Sequence, residues 1–302
     1  MRTGVLVMAY GTPSTPADVE AYYTRIRRGR APSPELLADL VRRYDAIGGT
    51  SPLARRTADQ VAGIAAALEA LAPATFDVRL GSKYEPPLIE ETAEGLREEG
   101  FEKVIGLALA PHSSSMSTDQ YMARARGALG EDVTLVAIGA WWEAPGFLEL
   151  VARRVRAALD TIAPERRETT EVIFSAHSLP TKILASGDTY PDQLRESARR
   201  AAALAGVERW DVAWQSAGRT GDEWLGPDIL EVLRAKASTG VTDVVSCPIG
   251  FVADHLEVLF DIDVEAMGVA REIGLHLVRT ASLNADPDFV SVLAHVITSA
   301  AG

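Results

Sequence analysis

Short, mostly apolar runs alternate along the chain with longer stretches whose apolar residues recur every three to four positions. The short runs are residues 4–9, 76–81, 103–110, 133–138, 171–176, 210–215, 242–247 and 274–279. Runs that are apolar on both faces suit parallel strands buried between two layers. The longer stretches, 17–28, 35–44, 55–72, 90–100, 117–129, 146–162, 190–205, 226–238 and 287–300, carry the helical period. Strand and helix in alternation predict a doubly wound α/β fold.

The eight strand runs divide into two sets of four. The first run of each set ends alike, in Ala9-Tyr-Gly-Thr-Pro13 and in Ala176-His-Ser-Leu-Pro180. The third runs also match, with Ala110-Pro-His112 beside Cys247-Pro-Ile249. The expectation is two similar Rossmann-like domains, residues 1–143 and 144–302, each a four-stranded parallel sheet flanked by helices. A cleft between them would hold the active site, and the last helix, 287–300, is free to pack back on the first domain. The first crossover is long, from Gly11 to Thr75, and must hold two or three helices. Insertions of that size in a compact domain are usually functional. Ligands of open α/β sheets sit at the carboxyl ends of strands. Tyr10, His112, His177 and the segment 248–254 all fall there.

A length of 302 residues fits two domains at about 150 residues each. The 30 basic and 42 acidic residues leave a net charge of −12, which argues against a nucleic-acid partner. The longest apolar runs reach about eight residues, far below the roughly 18 that cross a bilayer. The first 13 residues hold an apolar run too short for a signal-peptide core, so a cytoplasmic protein is expected. A lone cysteine, Cys247, excludes a disulfide within the chain and any cysteine-only metal site. Gly-x-Gly-x-x-Gly, Gly-Lys-Ser/Thr and Gly-x-Ser-x-Gly signatures are all absent.

Three features carry candidate chemistry. A helix beginning near Ala253 would align Asp254, Glu257, Asp261 and Glu265 at spacings of 3, 4 and 4. Each like-charge pair on such a stripe costs roughly 0.2–0.5 kcal/mol, so the stripe is either screened by water or neutralised by a cation. His177 follows a buried strand; imidazole with carboxylates suits Fe(II), Zn or Co(II), and imidazole also handles protons near neutrality. His255 falls off the stripe and reads as structural or as support for a ligand, while His112 is ambiguous. Finally, Arg25-Ile-Arg-Arg-Gly-Arg30 and Val41-Arg-Arg-Tyr44 crowd cations into the first insertion of an acidic chain. They suit either solvated helix ends or a carboxylate or phosphate ligand.

Seven segments in order resemble the ferrochelatases: Leu6-Val-Met-Ala-Tyr-Gly-Thr-Pro13, Tyr44-Asp-Ala-Ile-Gly-Gly-Thr-Ser-Pro-Leu53, Ser175-Ala-His-Ser-Leu-Pro180, Tyr190-Pro-Asp-Gln-Leu194, Trp214-Gln-Ser216, Trp224-Leu-Gly-Pro-Asp228 and Pro248-Ile-Gly-Phe-Val-Ala-Asp-His-Leu-Glu257. The resemblance implies a two-domain chelatase fold and a lyase that inserts Fe(II) into a porphyrin in haem biosynthesis. His177 matches the family's metal-site histidine and Glu257 the acid across from it. Asp261 and Glu265 match further acids used for metal or proton traffic. Tyr10 and Tyr23-Thr-Arg-Ile-Arg-Arg-Gly-Arg30 are similar to the monoderm-bacterial branch, whose substrate is coproporphyrin III. Tyr10 would then reach the iron opposite His177, and Arg27, Arg43, Tyr44, Ser51 and Tyr121 would hold propionates or the macrocycle rim. Tyr84 departs from that branch, where some members carry His. The resemblance further implies Fe(II) as substrate rather than cofactor, a monomer, and transient contact with neighbouring pathway enzymes; some related enzymes carry an iron–sulfur cluster on several cysteines, which the single Cys247 excludes here, and the short apolar runs argue against stable membrane insertion. Two alternatives stay open, a protoporphyrin IX ferrochelatase and a non-catalytic haem- or porphyrin-binding protein.

Overall fold

A computed structural model describes residues 2–218 and 220–302. The first half runs β1 (Thr3–Ala9), α1 (Val19–Ile26), α2 (Pro34–Ala46), α3 (Leu53–Leu71), β2 (Phe76–Ser82), α4 (Ile89–Glu98), β3 (Lys103–Ala108), α5 (Thr118–Leu129) and β4 (Thr134–Ile138). The second runs α6 (Phe147–Leu159), β5 (Glu171–His177), α7 (Lys182–Ala185), α8 (Tyr190–Ala205), β6 (Trp210–Gln215), α9 (Ile229–Ser238), β7 (Asp243–Cys247), α10 (Leu256–Leu259), a π-helix (Asp261–Ala266), α11 (Met267–Glu272), β8 (His276–Arg279) and α12 (Pro287–Ala301). The two sheets have the same strand order, β2-β1-β3-β4 and β6-β5-β7-β8, and every pairing is parallel. In both sheets the order reverses between the first and third strands, the place where open α/β sheets bind ligands. Tyr10 therefore leaves β1 and His177 ends β5 at corresponding switch points.

Local chemistry sets several boundaries. Ser33 caps α2 by accepting from Leu36 N–H, and Pro34 occupies its first turn, where no donor is needed. Asp228 caps α9 in the same way, accepting from Leu230 N–H. The helix expected over 226–238 therefore starts later, because Gly226-Pro227 precede the cap. The stretch 17–28 becomes a 3-10 turn and α1, ended where Arg28 and Gly29 take positive φ.

The buried strands β1 and β5 sit inside one continuous apolar core that also takes in α6, α8 and α12. α12 lies along α3 and reaches β3 and β4. At the α3 crossing a Cβ on Gly63 would stand 2.9 Å from Val290 Cγ2, so only glycine permits this approach without displacement. Phe289 on α12 is fully buried beside Trp141, with ring centres 5.8 Å apart. The loop after β3 is tied to the second half as well. Asp188 accepts from the Ser114 and Ser115 hydroxyls, and Gln193 donates to the Ser113 carbonyl. Buried His112 lies against Ser197 Oγ at 2.8 Å through Nε2. The Ser197 hydroxyl itself donates to the Leu194 carbonyl, so it accepts from His112 Nε2–H. The Nδ1 atom has no partner, which identifies a neutral ring.

Phe289→Ala should cost about 3–5 kcal/mol through the cavity it leaves, read by denaturant unfolding; a loss below about 1 kcal/mol would show that α12 adds little. His112 supplies a pH dependence. Burial pushes its pKa down to about 3, so the folded state favours the neutral ring. That stability is complete above the ordinary value near 6.5 and is lost as pH falls toward 3. At pH 4.5 the loss should be about 2–3 kcal/mol relative to pH 7, and His112→Phe should flatten this limb of the stability curve.

Candidate active site

β5 delivers His177 to the mouth of the second sheet. Its Nδ1 donates to the Ser178 carbonyl, which fixes the ring and turns Nε2 toward Glu257. Nε2 lies 3.5 Å from Glu257 Oε1. The other carboxylate oxygen, Oε2, lies 3.5 Å from His255 Nε2, and His255 Nδ1 is held by the Ala253 carbonyl at 2.9 Å. One carboxylate thus bridges two imidazoles, and His255 supports Glu257.

The loop that carries Glu257 is pinned at several points. Gly250 N–H donates to the Ser175 carbonyl, and a Cβ at Gly250 would meet the Ala176 Cβ at 2.4 Å, so the loop presses directly on β5. Gln215, at the end of β6, donates through Nε2 to the Glu257 carbonyl at 2.7 Å and accepts through Oε1 from Ser175.

The acidic stripe expected from a helix starting near Ala253 does not form. Asp254 lies before α10, and its carboxylate takes Ser282 at 2.7 Å, Asn284 at 2.9 Å and Arg279 at 3.4 Å. The correction has a physical cause: these donors, together with Arg56 at 3.7 Å, hold the Asp254 carboxylate in place ahead of α10. Beyond Leu259 the backbone then widens into the π-helix, with Glu265 N–H bonded to the Phe260 carbonyl five residues back. Asp261 is buried there, accepts from the Ser216 hydroxyl, and lies 3.8 Å from Arg43. Glu265 is exposed and lines, with Arg43, Ser216 and Asp261, a cavity of about 110 Å³. His177 and Glu257 are brought together, Asp261 is near enough for its charge to act on His177 and to feel that of Glu257, and Glu265 acts on Asp261. Among the described residues no three His, Cys, Asp or Glu side chains converge as a metal-binding group.

Electrostatics couples these groups. Burial alone would lower the His177 pKa, but the Glu257 charge and the Ser178 carbonyl outweigh it and raise it to about 9. Burial likewise opposes ionisation of Glu257, yet His177 and His255 hold its pKa below the carboxylate range. Burial and then the Glu257 charge push Asp261 up to about 7, against the Ser216 hydrogen bond and Arg43. The arrangement favours an imidazolium–carboxylate pair at neutral pH, beside an aspartate whose neutral form is favoured well above the usual carboxylate range.

The other wall comes from the first half. Tyr10 is 41% exposed in the cleft and meets the Tyr84 ring edge-on at 4.9 Å. Crowding by the cleft walls and then the Glu257 charge raise its phenol pKa, so it stays protonated. Tyr44 and Tyr121 are buried behind it and also feel Glu257, with pKa values of about 12 for Tyr44 and well above the usual value for Tyr121. Tyr44 Oη lies 3.4 Å from Thr12 Oγ1. Ser51 Oγ accepts from Leu53 N–H, which leaves its own proton to give. Arg27 lies 5.7 Å over the Tyr23 ring, and its buried Nε has no partner. Arg43 donates through Nε to Asp39 at 3.2 Å, lies 3.8 Å from Asp261 through Nη1, and covers Phe260 with its guanidinium at 5.2 Å. Sequence reasoning assigned no role to Lys83, nor to Gln215 and Ser216, which it met only within the segment Trp214-Gln-Ser216. The signal for Lys83 was a lysine directly after a buried strand, at the carboxyl edge of the sheet.

The sequence profile described as Ferrochelatase matches residues 2–301. Over 97% of this chain and 94% of its own length, the coproporphyrin III ferrochelatase of Geobacillus kaustophilus is 44% identical. That of Bacillus subtilis is 42% identical over 100% of this chain and 98% of its own length. A ferrochelatase of Herpetosiphon aurantiacus is 43% identical over 98% of both chains. Among solved structures, SirB from Bacillus subtilis with Fe3+ superposes with a TM-score of 0.59 at 12% identity, covering 100% of this chain and 96% of that one, a likeness of fold. Two equivalent parallel sheets with a histidine–carboxylate pair at their junction define a chelatase-type enzyme. The chain belongs to the ferrochelatase family.

Replacing Glu257 by Gln removes the largest influence that raises His177 and leaves burial, which lowers it, opposed only by the Ser178 carbonyl and Asp261. The His177 ring should then titrate below about 7 rather than near 9, read from its imidazole resonances by NMR. A value still near 9 would assign the shift to the Ser178 carbonyl instead.

Proposed function

We propose that the protein inserts Fe(II) into coproporphyrin III to give coprohaem, with release of the two pyrrole protons. The observation that carries this reading is the His177–Glu257 pair at the carboxyl end of β5, in a cleft shared with Tyr10 at the equivalent end of β1. The substrate rests on relatives named coproporphyrin III ferrochelatase that match nearly the whole chain at 42–44% identity. Fe(II) is a substrate here, so a transient pair of ligands serves better than a closed cage that would retain the ion.

The resting imidazolium of His177 cannot accept a proton or a metal until it gives up its own. That proton leaves to the open cleft, where the His177 side chain is 34% exposed, because Glu257 is held in its ionised form. Asp261, raised to about 7 by burial and then by the Glu257 charge, is the nearby acid that can hold or give a proton near neutrality, on the cavity bounded by Glu265. Neutral His177 Nε2 is then free to receive a pyrrole proton or ligate iron, with Glu257 balancing the charge in either case. Tyr10, held by Tyr84, supplies an oxygen on the other wall. Walls that bind a bent macrocycle better than a flat one lower the barrier, because bending turns the nitrogen lone pairs outward. Arg27, Arg43, Tyr44, Ser51 and Tyr121 bound the rim, the two guanidinium groups supplying positive charge for propionates.

The test is anaerobic Fe(II) insertion followed by absorbance, with coproporphyrin III and protoporphyrin IX compared. Wild-type protein should prefer coproporphyrin III. His177→Ala and Glu257→Gln should each lose roughly 10²-fold or more of the rate while keeping porphyrin affinity within a few-fold. Conversion no faster than the uncatalysed reaction would leave a porphyrin carrier as the reading, and a preference for protoporphyrin IX would correct the substrate.

A further inference from the structure

Lys83 is a buried cation, 7% exposed, and among the described residues it makes no ion pair. Its Nζ donates to Gln120 Oε1 at 2.8 Å and lies 5.3 Å from the Tyr84 ring centre and 5.0 Å from that of Tyr121. An ammonium has three N–H donors, and the amide of Gln120 uses one. Ring faces attract a cation but do not neutralise it.

The position of this charge is fixed by the backbone. Lys83 N–H donates to the Ala9 carbonyl and Tyr84 N–H to the Tyr10 carbonyl, so residues 83 and 84 are zipped to the end of β1 that presents Tyr10. The Lys83 carbonyl in turn accepts from Arg124, whose guanidinium is also engaged by Glu90 at 2.7 Å. Arg124 is therefore satisfied by protein groups, and Lys83 is not. Its surroundings are also unfavourable for a cation. Burial first, then Arg124 and Arg28, push its pKa down to about 8. A buried, uncompensated ammonium flanked by two further cations is costly on its own and is relieved by an anion.

From this placement we infer that Lys83 is a substrate-carboxylate anchor, receiving one propionate of the macrocycle against the Tyr84 and Tyr121 rings on the Tyr10 side of the cleft. This rests on the reading of the substrate as a polycarboxylate porphyrin. It gives the first half of the molecule a specificity-determining charge besides the arginines of the long insertion. A carboxylate seated there makes a charge-assisted hydrogen bond in a partly dry setting, the strong case for such contacts.

The experiment titrates metal-free coproporphyrin III and the dicarboxylate deuteroporphyrin IX into wild type, Lys83→Met and Lys83→Arg by fluorescence, at low salt and at 0.5 M salt. Methionine keeps the stem and removes the charge. The expected result is a Kd for coproporphyrin III raised about tenfold or more in Lys83→Met, with smaller salt dependence, unchanged Tm or a higher one, and partial recovery in Lys83→Arg. An unchanged Kd for both porphyrins would overturn the anchor. Equal losses for both, accompanied by a lower Tm, would overturn it in favour of a cation–π staple between Tyr84 and Tyr121. If wild type bound deuteroporphyrin IX and rejected coproporphyrin III, the substrate reading would fail instead. The Lys83→Met comparison is then decided on deuteroporphyrin IX, where an unchanged Kd overturns the anchor and a raised one supports it.

Discussion

The negative charge on Glu257 is what the rest of the site is arranged around. It holds His177 protonated, pushes Asp261 toward neutrality, and reaches the phenols of Tyr10, Tyr44, Tyr121 and Tyr190. It reaches so many groups because they crowd one cleft, where screening is weaker than in open water. An ionised carboxylate in such a place needs compensation, and two histidines provide it. The arrangement is self-consistent only while the charge stays where it is.

Much of the surrounding structure serves to keep it there. Gly250 allows the loop to touch β5, Gln215 holds the Glu257 main chain, and Asp254 anchors the loop's start. Arg279 ties that anchor to the π-helix through Asp263, with a contact of 2.7 Å. Arg56 and Gln60 of α3 reach the same region, Gln60 donating to the Asn284 carbonyl at 2.9 Å. A carboxylate-bearing loop is thus fastened to both halves, and the distance between Glu257 and His177 does not depend on one contact. Preorganisation of this kind removes the cost of ordering the site at the moment of reaction.

The two walls divide the work. The second half presents groups that change protonation: His177, Glu257 and Asp261. The first half presents phenols that stay protonated and cations that stay charged. A porphyrin offers corresponding faces, with exchangeable protons at its centre and carboxylates at its rim. Between β1 and β2 the first half carries α1, α2 and α3, where the second half carries between β5 and β6 only α8 and the short α7, and this longer crossover holds Arg27, Tyr44 and Ser51. The asymmetry of two otherwise matching folds lies in the part that meets the rim.

The strands, their parallel arrangement and the twofold repetition were legible in the sequence, because runs buried on both faces cannot be other than apolar. Tyr10 and His177 were legible for the same reason, each standing at the end of such a run. The acidic stripe was legible as composition and misleading as geometry. A helical period assumes that neighbouring acids share a face, but Asp254 binds Arg279, Ser282 and Asn284 from segments some 25 to 30 positions away. The π-helix followed from no periodicity in the chain. Lys83 carried only a positional signal, at the end of a strand, because its meaning lies in what surrounds it: nothing in a one-dimensional pattern says that a lysine is buried against two tyrosines and, among the described residues, makes no ion pair. The sequence by itself determined which residues are strands, which segments belong to the ferrochelatase pattern, and which side chains have the right chemistry. The tertiary structure decided which of those side chains meet and how their charges are set, because desolvation and pairing depend on contacts between distant parts of the chain.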